Sequence, residues 1–468
     1  MREALTLQAP AAPPRAPEPR RVPRREPLPH GVTRASRRTF MLWLAPWCAL
    51  LAFGLYASGL VLARGLNQTN MDNRYAFGLW IFLDLTIIAL GAGAFFTGFL
   101  LYILRKKELA AVINAAVVLG FVCYSGAIAV LLVDVGQPLR AWFTFWHPNV
   151  HSMLAEVTFC ISCYLVVLAI EYAPIVLKNR KLRRIPSFLV FEFELHKLMV
   201  VFAGVGTFLS FFHQGSLGGL YGVLRGRPFA FREGFSVWPS TFFLFILSAI
   251  AVGPSFLVLV TTLVQKLTRK RLVRDEVLDL LGRISGRLLV VYVMAKAVDT
   301  LVWLNSTTPA AGFHPYEFYA RPPFGGWILG MEIVVLGFVP ALLLLVPRLR
   351  ADRRGLVLGA LLACGGVALN RYVQTIQTLA LPTLPFDRLL LYTPSWQEVA
   401  TFLGVVAYGV LVFSMSYRWL PLFPQERELD PPVAVPARWR PPGWRPAGGP
   451  ARAPRGPQTA AAGAPERR

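Results

Sequence analysis

The feature that most restricts what this chain can become is a succession of ten apolar runs. They lie at approximately 40–63, 77–104, 109–133, 151–177, 196–213, 236–265, 284–306, 325–346, 355–379 and 394–417. Crossing about 30 Å of hydrocarbon takes roughly 20 helical residues, and most of these runs supply that length. Inside a bilayer the backbone must satisfy its own hydrogen bonds, so runs of this length can span only as helices. The expected fold is an all-α polytopic membrane protein with ten transmembrane helices. Composition excludes a water-soluble domain: 55% of the residues are hydrophobic and only 16% charged, with a mean hydropathy of +0.51. Three regions follow, a basic tail at 1–38, a membrane domain at 39–423 and a Pro, Ala and Arg-rich tail at 424–468. The tails hold too little apolar surface to offset the entropy of ordering and are expected to be disordered. The N-terminal tail lacks the short apolar core and small-residue cleavage site of a secretory signal, so the first span is expected to be retained.

A formal net charge of +23 could point to nucleic acid, but the placement of the charge argues otherwise. With the N-terminus in the cytoplasm, 37 of the 48 Lys and Arg residues fall in the tails and connectors of that side, and 8 in those opposite. This asymmetry orients membrane proteins and recurs at every connector here. The expected location is a bacterial cytoplasmic membrane, with both termini cytoplasmic and no nucleic-acid partner.

One connector on the opposite side carries unusual chemistry. DVGQPLRAWFTFWHPNVH at 134–151 holds Asp134, Arg140, Trp142, His147 and His151. Ionisable residues also lie inside the spans, and they share a bias to that side: Asp84, Glu156, Asp299, Glu332, Asn370 and Arg371, with Asp134, His151, His213 and Glu398 at the helix ends. Such groups are costly in lipid and face a partner, a cavity or a pathway. Pairing within the helices offers a plain explanation for some, Lys296 with Asp299 at i,i+3 and Arg371 with Glu332. None of the six histidines sits at mid-membrane depth, which argues against a b-type haem held between facing helices. Cys160 and Cys163 form a CxxC inside an apolar span without a second ligand pair, so they read as small hydrophobes and no metal is expected.

Acids, histidine and aromatic rings gathered at one membrane face suit a quinol, which gives up two electrons and two protons and carries an apolar tail. Its oxidation needs bases for the hydroxyl protons. Most of Trp142, Trp146, Trp238, Trp303, Trp327 and Trp396 are assigned instead to the aromatic belt of the membrane interface.

DVGQPLRAW followed by HPNVHSMLAE resembles the loop region of the NrfD and polysulfide-reductase membrane-subunit family. HQGSLGGLYG at 213–222, GVALNRYVQT at 366–375 and WIFLDLTIIALGAGAF at 80–95 are similar to segments of its ten-span, HybB-like branch. The resemblance covers about residues 40–420. It implies a membrane subunit without its own redox centre that exchanges electrons between menaquinone or ubiquinone and a periplasmic partner. The implied partners are a ferredoxin-like iron-sulfur subunit, with hydrogenase, molybdopterin or multihaem cytochrome subunits in the complex. Asp134, Arg140 and Trp142 carry the loop motif, with Asp134 and Arg140 holding its turn. Where the family often has Arg after the loop glycine, this chain has Gln137. The motifs do not fix the quinone site, so depth and chemistry assign His213 and Glu156 to proton transfer at the quinone, with Asp84, His151, Trp80 and Gln214 around it. Asp299, Glu332, Asn370 and Arg371 are candidates for a proton pathway. The resemblance also implies two four-helix bundles, spans two to five and six to nine, with spans one and ten peripheral.

A secondary transporter or ion pathway is the rival reading, but it calls for acids in both membrane halves, and Glu171 is the main acid in the cytoplasmic half. A purely structural anchor would leave the buried charges unexplained. The topology predicts that reporter fusions after Arg180 and Arg271 act as cytoplasmic and fusions near Gly218 and His314 as external. An external C-terminus would contradict the count of ten.

Overall fold

A computed structural model describes residues 35–73, 75–149, 152–178, 198–222, 240–310, 325–377, 379–380 and 390–423. Among them, ten helices are long and apolar enough to cross a membrane: α1 Arg37–Arg64, α2 Leu79–Ile103, α3 Ile113–Asp134, α4 Met153–Leu177, α5 Met199–Tyr221, α6 Thr241–Thr268, α7 Asp275–Ser306, α8 Trp327–Leu345, α9 Arg353–Gln377 and α10 Trp396–Trp419. They correspond one for one to the ten runs. The side on which α2 begins is here called upper. Apart from 35–38, the expected tails lie outside the described residues, and α1 already begins at Arg37.

Local chemistry fixes several helix ends. Ser36 caps α1 by accepting from the Thr39 N–H at 3.1 Å. Ser395 and Glu398 form a reciprocal capping box at the start of α10. Asp352 caps α9 through the Arg354 N–H.

The helices form the two expected bundles. In the first, α2 to α5 pack in sequence and α5 closes back onto α2; in the second, α6 to α9 do the same and α9 closes onto α6. The bundles meet where α6 stands against α2 and α5, with α9 also reaching α2. Outside them, α10 lies on α2 and α3, and α1 lies on α10.

Lipid tails are as apolar as leucine, so helices associate in membranes through close packing, and small residues permit it. Gly93 of α2 meets Gly253 of α6 at the junction of the bundles. A Cβ on Gly93 would lie 2.7 Å from the Gly253 carbonyl oxygen, and one on Gly253 would lie 2.4 Å from the Gly93 nitrogen. Gly54 and Gly404 do the same for α1 and α10, helped by a 3.0 Å hydrogen bond between Ser58 and Thr401.

Two boundaries differ from the hydropathy reading. Helix α5 continues to Tyr221 instead of stopping near 213. The reason lies in HQGSLGGLY, whose low hydropathy marks a packing seam: a Cβ on Gly215 would lie 2.4 Å from the Phe242 ring, and one on Gly218 would lie 2.3 Å from the Thr241 carbonyl oxygen. Helix α7 begins at Asp275, about two turns before the expected start. Its charged first turns are held by Asp279, which receives Arg283 at 2.8 Å and Arg350 at 2.6 Å. The tryptophans expected at the membrane interface divide into two groups. Trp142, Trp146, Trp327 and Trp396 are exposed, whereas Trp303 is fully buried against Ile328, Val373 and Ala380. Trp303 belongs to the core because its helix turns it toward α8 and α9; Trp238 lies outside the described residues.

The glycine contact between the bundles carries a prediction. Gly93→Leu or Gly253→Leu should destabilise the protein by about 1–3 kcal/mol, the usual cost of overpacking. The measurement is the midpoint of thermal unfolding in detergent. Gly59→Leu, where a Cβ meets nothing within 4 Å, should leave that midpoint nearly unchanged.

Candidate functional site

The upper halves of the two bundles contain two clusters of buried polar side chains. The first is built on α5. Because that helix extends two turns beyond its predicted end, His213 sits inside the bundle rather than at its rim, and it is fully buried. Its ring lies 5.8 Å from that of Tyr124 on α3. The Tyr124 hydroxyl in turn hydrogen-bonds Ser210 at 2.8 Å, and its ring meets Tyr164 of α4 edge-on at 4.5 Å. Gln214 is also buried. Among the described residues, neither ring nitrogen of His213 nor Nε2 of Gln214 makes a hydrogen bond of good geometry, although His213 lies beside the Val157 backbone and Gln214 beside the Tyr124 hydroxyl. Buried polar atoms are nearly always partnered in native proteins, which singles out these adjacent residues as candidates for contact with a ligand.

Asp84 on α2 is buried one turn below Trp80, and its Oδ1 is likewise unpartnered among the described residues. It lies within electrostatic range of Asp134 at the end of α3. The loop turn is not held as expected. Asp134 and Arg140 form no ion pair among the described residues: Arg140 ends the 3₁₀ turn Pro138–Arg140 and is exposed, while an oxygen of Asp134 is buried. Trp142 is exposed. Glu156 is half-buried at the start of α4 and makes no hydrogen bond to either ring nitrogen of His213. His151 lies outside the described residues.

The second cluster joins all four helices of its bundle. Lys296 of α7 lies 3.3 Å from Glu332 of α8, both nearly inaccessible. Asn370 of α9 donates to the same Glu332 oxygen at 2.6 Å. Arg371 donates to Asn370 Oδ1 at 2.5 Å and to Ser248 of α6 at 2.7 Å, and its guanidinium lies 3.7 Å above the Phe245 ring. The expected pairing of Arg371 with Glu332 is therefore indirect, with Asn370 between them, because neighbouring residues on α9 point to different helices. Lys296 reaches across to α8 rather than only along its own helix toward Asp299, which is also buried. Three of these helices widen into π-helical stretches nearby, Trp303–Thr307, Met331–Phe338 and Val373–Gln377. Such stretches concentrate at functional sites.

A third set closes the upper end between the clusters. Glu398 accepts from the backbone N–H groups of Asn70 at 3.1 Å and Ser395 at 2.9 Å, and from the Tyr392 hydroxyl. That hydroxyl also accepts from the Leu79 N–H at 2.8 Å. Tyr75 stacks on Tyr392 with centroids 4.9 Å apart and donates to the Ile376 carbonyl at the end of α9. Burial pushes both phenols well above the ordinary tyrosine range, so they stay neutral donors. The Trp80 indole donates to the Glu398 carbonyl at 3.1 Å, which commits it to tying α2 to α10. Tyr124, Ser210, Ser248 and Tyr392 were not singled out from the sequence, since one hydroxyl in an apolar run is ordinary until a neighbouring helix gives it a partner.

The sequence matches the family described as polysulphide reductase, NrfD, over residues 67–381. It is 50% identical over 406 residues to the "Menaquinone reductase, integral membrane subunit" of Nitratidesulfovibrio vulgaris strain Hildenborough, covering 86% of this chain and 97% of that protein. It is 24% identical to the "Probable Ni/Fe-hydrogenase 2 b-type cytochrome subunit" of Escherichia coli K12, covering 80% and 90% of the two chains. A selenate reductase subunit of Mesobacillus selenatarsenatis is 22% identical, over 80% of this chain and 93% of that one.

The second cluster gives a double-substitution prediction. Lys296→Met leaves Glu332 buried without its cation and should cost about 3–5 kcal/mol, as for other broken buried pairs. Adding Glu332→Gln removes the stranded charge while keeping an acceptor for Asn370, and should recover most of the loss. Thermal unfolding of the two variants in detergent decides this: equal destabilisation of both would show that the pair is not coupled.

Proposed function

Since this chain belongs to the NrfD family of polysulphide-reductase membrane subunits, we propose that it is the quinone-reactive subunit of a respiratory oxidoreductase complex. The complex exchanges electrons between the quinone pool and an iron-sulfur or cytochrome subunit docked on the upper, periplasmic side. The relatives' descriptions as subunits of menaquinone, hydrogenase and selenate enzymes support this class of complex.

The observation that carries the reading is the adjacent, fully buried His213 and Gln214 pair inside the first bundle, whose side-chain nitrogens make no well-formed hydrogen bond among the described residues. A quinone presents two carbonyl acceptors at opposite ends of its ring. Reduction adds two electrons, supplied by the partner subunit, and two protons, turning both carbonyls into hydroxyls; oxidation reverses each transfer. Donors on His213 and Gln214 match a carbonyl, and His213 can accept from the hydroxyl that replaces it. Glu156 links this position to the upper surface for proton exchange, and Asp84 supports it from α2. In the second bundle Asp299, Glu332, Asn370 and Arg371 form a proton-exchange chain.

A haem, as the hydrogenase relative's description suggests for that protein, is not part of this proposal. Of the two histidines among the described residues, His147 is exposed on the upper loop and His213 packs its ring beside Tyr124, while the chain's other four lie outside the described residues. A transporter would use the second-bundle chain without quinone, and would then conduct protons in liposomes that contain none.

His213→Ala should lower quinone-linked turnover by roughly 10²–10⁴, the usual cost of losing a general base. Activity of the attached soluble subunit with an artificial dye should survive, because that path bypasses the membrane. If His213→Ala and Glu156→Gln both keep full quinone-linked activity in an assembled complex, the pocket lies in the second bundle.

A further inference from the structure

On the lower side, the end of α6, the start of α7 and the start of α9 enclose a cleft of about 540 Å³. Five cations line it, Lys266, Arg269, Lys270, Arg271 and Arg353, against a single acid, Asp275. The acid is already engaged by Arg271 at 2.8 Å. Asp279, the next acid along α7, is held by Arg283 and Arg350. Lys266, Arg269 and Lys270 form no ion pair among the described residues, so the cleft keeps an uncompensated positive charge. A solvated basic face accounts for exposed Lys and Arg at this side of a membrane protein, but it does not account for the floor. There Gln265 is buried, with its Oε1 taken by Arg353 at 3.0 Å and its Nε2 unpartnered, and the Thr262 hydroxyl is buried and unpartnered beside it. Neutral donors at the base of a cleft and cations at its rim are the complement of an anion with several acceptor oxygens.

We infer that this cleft binds a phosphate group, presented either by the headgroup of an anionic phospholipid in the adjoining leaflet or by free phosphate. Charge draws the group in, and the Gln265 amide and Thr262 hydroxyl hold it against the ends of three helices. Basic recesses between transmembrane helices suit headgroups of this kind because the lipid tails remain in the bilayer while the phosphate enters. Bound there, the phosphate would fasten α6, α7 and α9 of the second bundle at the end opposite the Lys296–Arg371 network.

The test measures thermal unfolding of the full chain, purified and delipidated with any accompanying subunits. The additions are phosphatidylglycerol in mixed micelles, phosphatidylcholine in the same micelles, or inorganic phosphate. Phosphatidylglycerol should raise the midpoint more than phosphatidylcholine. The double variant Lys266→Gln/Arg269→Gln should need about thirtyfold more of it for the same shift, as expected for losing two cations near a charged headgroup. Lys106→Gln/Lys107→Gln, on the same side but outside the cleft, should behave as the parent. A shift produced by inorganic phosphate, equal in the two lipids and lost in the cleft variant, also supports the site and identifies free phosphate as its occupant. If the cleft variant does not fold, the parent alone decides: at about 1 M salt, where screening acts within roughly 3 Å, the anion-specific shift must largely vanish. No shift from either anion, or one unaffected by both the cleft substitutions and salt, overturns the inference.

Discussion

A guanidinium sealed among membrane helices has to draw its partners from whatever surrounds it, and Arg371 draws them from several helices at once. Ser248 comes from α6 and the underlying Phe245 ring from the same helix, while Asn370 extends the contact to Glu332 on α8 and through it to Lys296 on α7. Remove the charge and four helices lose the reason for their relative rotation. The same helix α6 meets α2 at Gly253 and Gly93, where two backbones come too close for any side chain. The polar knot thus holds the second bundle together internally, and the glycine contact below it sets that bundle against the first.

The two bundles divide the polar work differently. In the second, buried charges are linked across helices, a costly arrangement that is hard to break once made. Glu332 Oε2, Arg371 Nε and the side-chain amides of Gln374 and Gln377 have no hydrogen-bond partner among the described residues. In the first, His213, Gln214 and Asp84 keep buried atoms without a well-formed hydrogen bond among the described residues. The cap of Glu398, Tyr392, Tyr75 and Asn70 spans the region between them and fixes the ends of α2, α9 and α10.

Much of this architecture was legible in the sequence because a membrane imposes one rule on all ten spans, and apolar length reports it. The bundle assignment followed from the resemblance and agrees with the observed packing. The boundary of α5 was misread because glycines and polar residues lower hydropathy whether they end a helix or let another helix approach. That error placed His213 at the rim instead of inside. The cross-helix choices, Lys296 to Glu332 and Asn370 between Glu332 and Arg371, depend on helix rotation, which spacing along one helix does not encode. Asp134 and Arg140, near in sequence and opposite in charge, remain apart because a helix end and a 3₁₀ turn aim them differently.

The central claim is that the quinone headgroup is held at the upper end of the first bundle by His213 and Gln214. A cryo-electron-microscopy map of the assembled complex with a tight-binding quinone analogue tests it most directly. The account predicts density for the headgroup beside those two residues, with the tail leaving toward lipid. Headgroup density beside Lys296 and Glu332 instead would contradict it.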